Sequence, residues 1–233
     1  MAGILYGVGV GPGDPELMTV KAVRLLKEND VVAVPAKEPK ESVAYKIAAG
    51  AVPEIADKTL LAVDIPMTKD MARLEAAHTE GAKKVAEYLE KGQSVVFLNL
   101  GDVTVYSSYM YIQNKVKEMG YEAEVISGIT SFCAAAARLG VSLCEWSEPL
   151  HVIPALHKTG DALNLPGNYV LMKSGKSMAQ VKELLAASGK QVMMVENCGM
   201  PGEKVYHSVE EIPDDAGYFS LIIAKDGGDP LKK

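Results

Sequence analysis

Short apolar runs alternate with amphipathic stretches along the whole chain. Residues 4–10 (ILYGVGV) are almost continuously apolar and end in glycines, the pattern of a strand buried on both faces. Residues 17–28 follow with apolar positions at Leu17, Val20, Val23 and Leu26, the spacing of a helix that buries one face. A second strand, 31–34, stops at Pro35; a helix over 42–51 and a strand over 59–64 come next. The longest helix is predicted over 71–91, rich in Ala, Glu and Lys, with Gly92 as its left-handed stop. Residues 94–100 (SVVFLNL) are apolar at all but two positions, as a central strand requires, and a helix over 105–119 is closed by Gly120.

A strand over 122–126 leads through Gly128-Ile129-Thr130-Ser131 into an Ala-rich helix over 131–139. From there strands dominate, over 150–153, 168–172, 191–195, 203–209 and 218–224, with one helix over 177–187. The expected fold class is therefore α/β with two domains, residues 1–117 and 122–233, the second carrying a mixed, partly antiparallel sheet. The last eight residues (DGGDPLKK) read as a frayed end.

Composition narrows the function classes. Of 233 residues 48% are hydrophobic, enough for one large core or two modest ones, and the even mixing of polar and apolar segments excludes disorder. A net charge of −6 argues against nucleic acid as a partner, because phosphate-backbone binding needs a surplus of Lys and Arg. Cys133, Cys144 and Cys198 lie far apart and the four histidines are scattered, so no metal site is expected and the thiols read as reduced. The N-terminus lacks the basic lead and cleavage pattern of a signal peptide, and no apolar stretch is long enough to span a membrane. The expectation is a soluble, cytoplasmic protein.

Three turns could carry chemistry. Gly9-Val10-Gly11-Pro12-Gly13-Asp14 follows the first strand, where open α/β sheets place ligands. Its glycines are too closely spaced for a dinucleotide fingerprint, Pro12 removes an amide, and no acidic ribose anchor follows the second strand, so a dinucleotide-dependent oxidoreductase is disfavoured. Asp14 reads as an N-cap of the helix beginning at 17. Gly101-Asp102 ends the strand 94–100; Asp102 could bind ligand hydroxyls or an amine, or simply cap the helix at 105. Gly128-Ile129-Thr130-Ser131 offers hydroxyls and amides at a helix start, which suit a carboxylate or serve as a cap.

The order of these turns resembles the tetrapyrrole methylase family from Val8 to about Ala224. The resemblance implies two α/β domains, S-adenosylmethionine held between them and released as S-adenosylhomocysteine, and a homodimer. Carried over by motif, the cofactor contacts would be Pro12, Leu100, Gly101, Asp102 and Val105, then Thr130, Ser131, Met172 and Cys198. The stretch Gly101-Asp102-x-x-x-Tyr106-Ser107-Ser108-Tyr109-x-Tyr111 and the strand His151–Ala155 resemble the branch that methylates C20 of precorrin-2 or cobalt-precorrin-2. Pro35 stands where uroporphyrinogen-methylating members carry Asp, and Val103 where proline is common.

The resemblance implies a methyl transfer that needs alignment and exclusion of water rather than a catalytic triad. Any proton to be moved would involve Asp102, Lys173, Tyr218 or Tyr106. Lys37, Lys40, Lys173, Lys176, His157 and Lys158 are candidates to meet the carboxylates of a tetrapyrrole. Cobalt would arrive inside the macrocycle, and the cobalt form is favoured over metal-free precorrin-2. A ribosomal-RNA methyltransferase of the same fold family is disfavoured by charge. A non-enzymatic small-molecule binder remains the third alternative.

Overall fold

The computed structural model describes residues 1–154 and 163–227, the side chain of Lys176 excepted. The expected sites at Ala155, His157 and Lys158 lie outside the described residues, as does most of the end expected to fray. The chain divides into two units, Met1–Thr130 and Ser131–Lys233.

The first unit is a five-stranded sheet of β1 (Ile4–Gly9), β2 (Val31–Val34), β3 (Thr59–Ala62), β4 (Val95–Asn99) and β5 (Glu122–Ile126), in the order β3-β2-β4-β1-β5. Every pairing is parallel. Side-chain alternation sorts the central strands between two faces. Val8, Val32, Val34, Val96 and Leu98 pack with helices α1 (Val20–Glu28) and α2 (Val43–Ala51). Leu5, Val31, Ala33, Val95 and Phe97 pack with α3 (Met71–Glu90) and α4 (Tyr109–Glu118). This double cover is why these strands read as continuous apolar runs. Because β5 pairs with β1 in register from Ile4–Glu122 to Val8–Ile126, the first unit runs to Thr130, past the division expected at 117–122.

The second unit is also five-stranded: β6 (Leu150–Pro154), β7 (Asn168–Met172), β8 (Gln191–Glu196), β9 (Lys204–Tyr206) and β10 (Ser220–Lys225), in the order β6-β7-β10-β8-β9. Among the described strands β6 and β7 run parallel and the other pairings are antiparallel, the mixed sheet that the sequence predicts. One face packs Val170, Met193, Val195, Leu221 and Ile223 against Ala135 and Ala136 of α5 (Ser131–Leu139). The other packs Tyr169, Leu171, Met194 and Ile222 against α6 (Met178–Ala187). Among the described residues no helix is long and apolar enough to cross a membrane.

Two helices begin later than their patterns predict, each because a side chain captures an amide. Asp14 accepts from Glu16 N (2.9 Å) and caps a single 3-10 turn, Pro15–Leu17; Thr19 then caps α1 by accepting from Ala22 N (3.2 Å). The helix expected from 105 begins at Tyr109, because Asp102 and Ser107 accept from the amides of Thr104 and Tyr109 and hold 102–108 as turns. Asp102 is thus not a cap of α4.

Candidate functional site

The carboxyl ends of β1, β4 and β5 lie side by side in the sheet, and the three turns noted in the sequence close on one another there. Gly11 and Gly101 form a reciprocal bridge, Gly101 N donating to Gly11 O (2.8 Å) and Gly11 N to Gly101 O (3.3 Å). A Cβ on Gly9 would lie 2.6 Å from both Gly101 O and Gly128 N, and one on Gly128 would lie 2.3 Å from Gly101 O. No side chain fits at either position, so these glycines let three backbones touch. Pro12, Gly101 and Asp102 are buried against this junction, while Leu100 and Val105 are half-buried.

Asp102 locks the junction. Its Oδ1 accepts from Thr104 N (2.7 Å) and the Thr104 hydroxyl, and its Oδ2 accepts from Gly128 N (2.9 Å), tying the β4 turn to the β5 turn. Burial alone would raise the carboxyl's pKa. The hydrogen bonds from Thr104, Gly128 and Ser127 outweigh it and hold Asp102 below the usual carboxylate range. The group is an anion already engaged by the protein, suited to positioning backbone rather than exchanging protons near neutrality. Asn99, also buried, supports the same loop: its Nδ2 donates to Leu100 O (2.9 Å) and Asp102 O (3.0 Å), and its Oδ1 accepts from Ser107 Oγ (2.6 Å).

Thr130, at the end of the first unit, has a buried hydroxyl oxygen with no hydrogen-bond partner. A buried hydroxyl left unpaired is costly, and it fits a group that awaits an acceptor on a ligand. That orphan, together with backbone brought to the carboxyl edge of a parallel sheet, gives the first unit residues suited to hold a polar cofactor.

In the second unit Ser131 opens α5, and Met172 ends β7 opposite Leu221 of β10. Met172 and Cys198 both pack against the apolar cluster built on α5, β7, β8 and β10. Burial, reinforced by Glu203, pushes the Cys198 thiol up against the opposing effect of Arg138. It is therefore held protonated, the weakly nucleophilic form. Lys173 follows β7 with φ +62°, and Tyr218 lies two residues before β10, half-exposed and edge-on to Phe219 at 5.2 Å. Burial raises the Tyr218 phenol, which favours a donor over a base. Lys37 and Lys40 are exposed after β2.

The Asn99 support and the link from Asp102 to Gly128 are absent from the sequence reading. Asn99 carried a usable signal, being an amide inside an otherwise apolar strand. The link spans 26 positions and left no local mark.

Residues 4–213 match the family described as Tetrapyrrole (Corrin/Porphyrin) Methylases. The chain is 32% identical over 235 residues to a precorrin-2 C(20)-methyltransferase of Sinorhizobium sp, covering 95% of this chain and 94% of that one. It is likewise 32% identical over 231 residues to the cobalt-precorrin-2 C(20)-methyltransferase of Salmonella typhimurium, covering 96% of each. The fold is similar to that of uroporphyrin-III C-methyltransferase from Thermus thermophilus, solved with S-adenosylhomocysteine, at a TM-score of 0.68 and 23% identity over 96% of this chain and 97% of that one.

Proposed function

The chain belongs to the tetrapyrrole (corrin/porphyrin) methylases, and from that premise we propose that it transfers a methyl group from S-adenosylmethionine to C20 of cobalt-precorrin-2 in cobalamin biosynthesis. Metal-free precorrin-2 is the second reading, favoured by the Sinorhizobium relative. The observation that carries the proposal is similarity along nearly the full length of both chains to proteins named for that position of the ring.

S-adenosylmethionine, when bound, supplies a methyl that is already electrophilic. The work left to the protein is alignment and exclusion of water. Within the first unit, backbone at Pro12, Leu100 and Gly101 and the side chain of Val105 are the groups proposed to contact the cofactor, with Asp102 holding the turns at the right separation. The unpaired Thr130 hydroxyl donates to the cofactor. Within the second unit, Ser131, Met172 and Cys198 are the residues proposed to contact the cofactor. The raised pKa of Cys198 suits that place, since a thiolate would itself be a methyl acceptor. Lys173 and Tyr218, at the ends of neighbouring strands, are the groups proposed to meet a substrate carboxylate or a migrating proton. The reading extends to a cytoplasmic homodimer that binds neither nucleic acid nor membrane; Cys133, Cys144 and Cys198, all free, fit a reducing compartment.

The test is anaerobic incubation with methyl-labelled S-adenosylmethionine and either cobalt-precorrin-2 or precorrin-2, followed by mass spectrometry and location of the label. One labelled methyl at C20 is expected with the cobalt form. Label confined to the metal-free ring supports the second reading, and no label with either ring overturns both.

A further inference from the structure

Two serines of the second unit show how its fold treats a hydroxyl taken from water. Ser220, buried at the start of β10, donates to Gly217 O at 2.8 Å, and the half-buried Ser188 donates to Leu185 O at 2.6 Å. Ser174 breaks this pattern. It is fully buried, and its Oγ has no hydrogen-bond partner. Among the described residues two other buried side-chain atoms share that state: Thr130 Oγ1, proposed above to meet the cofactor, and Gln113 Oε1 in the body of α4.

Local structure offers Ser174 a use that it does not take up. It stands at the N-cap of a single 3-10 turn, Gly175–Ser177, where a serine side chain ordinarily accepts from an amide. Its carbonyl closes the turn by accepting from Ser177 N at 2.7 Å, but its side chain makes no capping bond. A buried hydroxyl left unpaired is destabilising, so alanine would serve the fold better here. The turn lies at the carboxyl end of β7, where Met172 ends the strand and Lys173 turns the chain at φ +62°. A Cβ on Gly175 would stand 3.4 Å from Gly217 O, so this turn lies against the one that carries Tyr218 into β10.

Resting on the methyltransferase reading above, we propose that Ser174 is a further cofactor-binding residue, its hydroxyl donating to a neutral acceptor on S-adenosylmethionine. The ligand class follows from the chemistry of the position. A substrate carboxylate brought to a fully buried hydroxyl would need a cation at the same depth, whereas a neutral acceptor needs a donor alone. The adenosyl part of the cofactor offers such acceptors in its ring nitrogens and ribose oxygens. Ser174 also stands two residues beyond Met172, already proposed as a cofactor contact.

The experiment compares Ser174→Ala with the wild type in two measurements on the full chain: Tm without ligand, and S-adenosylmethionine affinity by calorimetry. The two are expected to move in opposite senses. Removing an unpaired buried hydroxyl should raise Tm by about 2–4 °C. The Kd for S-adenosylmethionine should rise about fivefold, the scale of one lost neutral hydrogen bond. An unchanged Kd overturns the inference. A lower Tm overturns it too, because the hydroxyl would then be serving the protein itself. A wild type that binds no S-adenosylmethionine is a failure of the methyltransferase reading and is seen before any variant is made.

Discussion

Asp102 is a buried anion whose charge is balanced by a hydroxyl and backbone amides. Because those bonds depress its pKa, the stability they confer is complete above the ordinary carboxyl value and is lost as pH falls through the lower folded value. Asp102→Asn is therefore expected to be destabilised by about 1–3 kcal/mol at neutral pH, since an amide cannot satisfy all these donors. It should also lose less stability than the wild type on going from about pH 6 to about pH 3. Urea midpoints at the two pH values check both expectations, and parallel losses would show that the carboxylate is not the group titrating. Weakened S-adenosylmethionine affinity in the same variant is the expected sign that its turns form part of the cofactor site.

At the scale of elements, α3 and α4 are clasped by His78. The imidazole on α3 is buried and stacks on Tyr111 of α4, and the neighbouring Glu75 pairs with Lys115 of α4. Burial lowers the His78 pKa; Glu75 opposes that shift and Lys115 adds to it. A histidine with a depressed folded value contributes stability above its unfolded value near pH 6.5, and that contribution is lost as pH falls through the folded value. His78→Phe preserves a stacked ring and removes the titration. Between about pH 7 and about pH 5 the wild type should lose thermal stability and His78→Phe should hold nearly constant. Identical profiles would mean that other groups set the acid limb.

At the scale of the molecule, the extent of the first unit is a matter of which sheet β5 completes. β5 supplies the pairing along β1, the carbonyl of Glu124 that satisfies Tyr109, and the amide of Gly128 that satisfies Asp102. A fragment of residues 1–130 is therefore expected to unfold in one cooperative transition. A fragment of residues 1–121 should lack it, having lost an edge strand and partners for two buried side chains. Circular dichroism during thermal unfolding distinguishes them, and equal cooperativity would place the unit's limit before β5.

How much was legible in the sequence differs between strands, turns and pairings. Strand and helix identity were written in the apolar periods: 31–34 and 95–99 are buried on both faces, and only a sheet covered by helices on both sides accommodates such runs. The mixed character of the second sheet was likewise visible, as a run of strands with a single helix, 177–187, among them. The three turns and their order, and with them the family, were also legible, because glycine and the capping residues mark turns locally. What the sequence left undetermined was every relation across long separations. That β5 belongs beside β1, that Gly9 and Gly128 are glycines because three backbones meet, and that Asp102 holds Gly128 are facts of contact between distant segments. Local propensity reads a few residues at a time. The partner of a buried carboxylate exists only once the chain has folded.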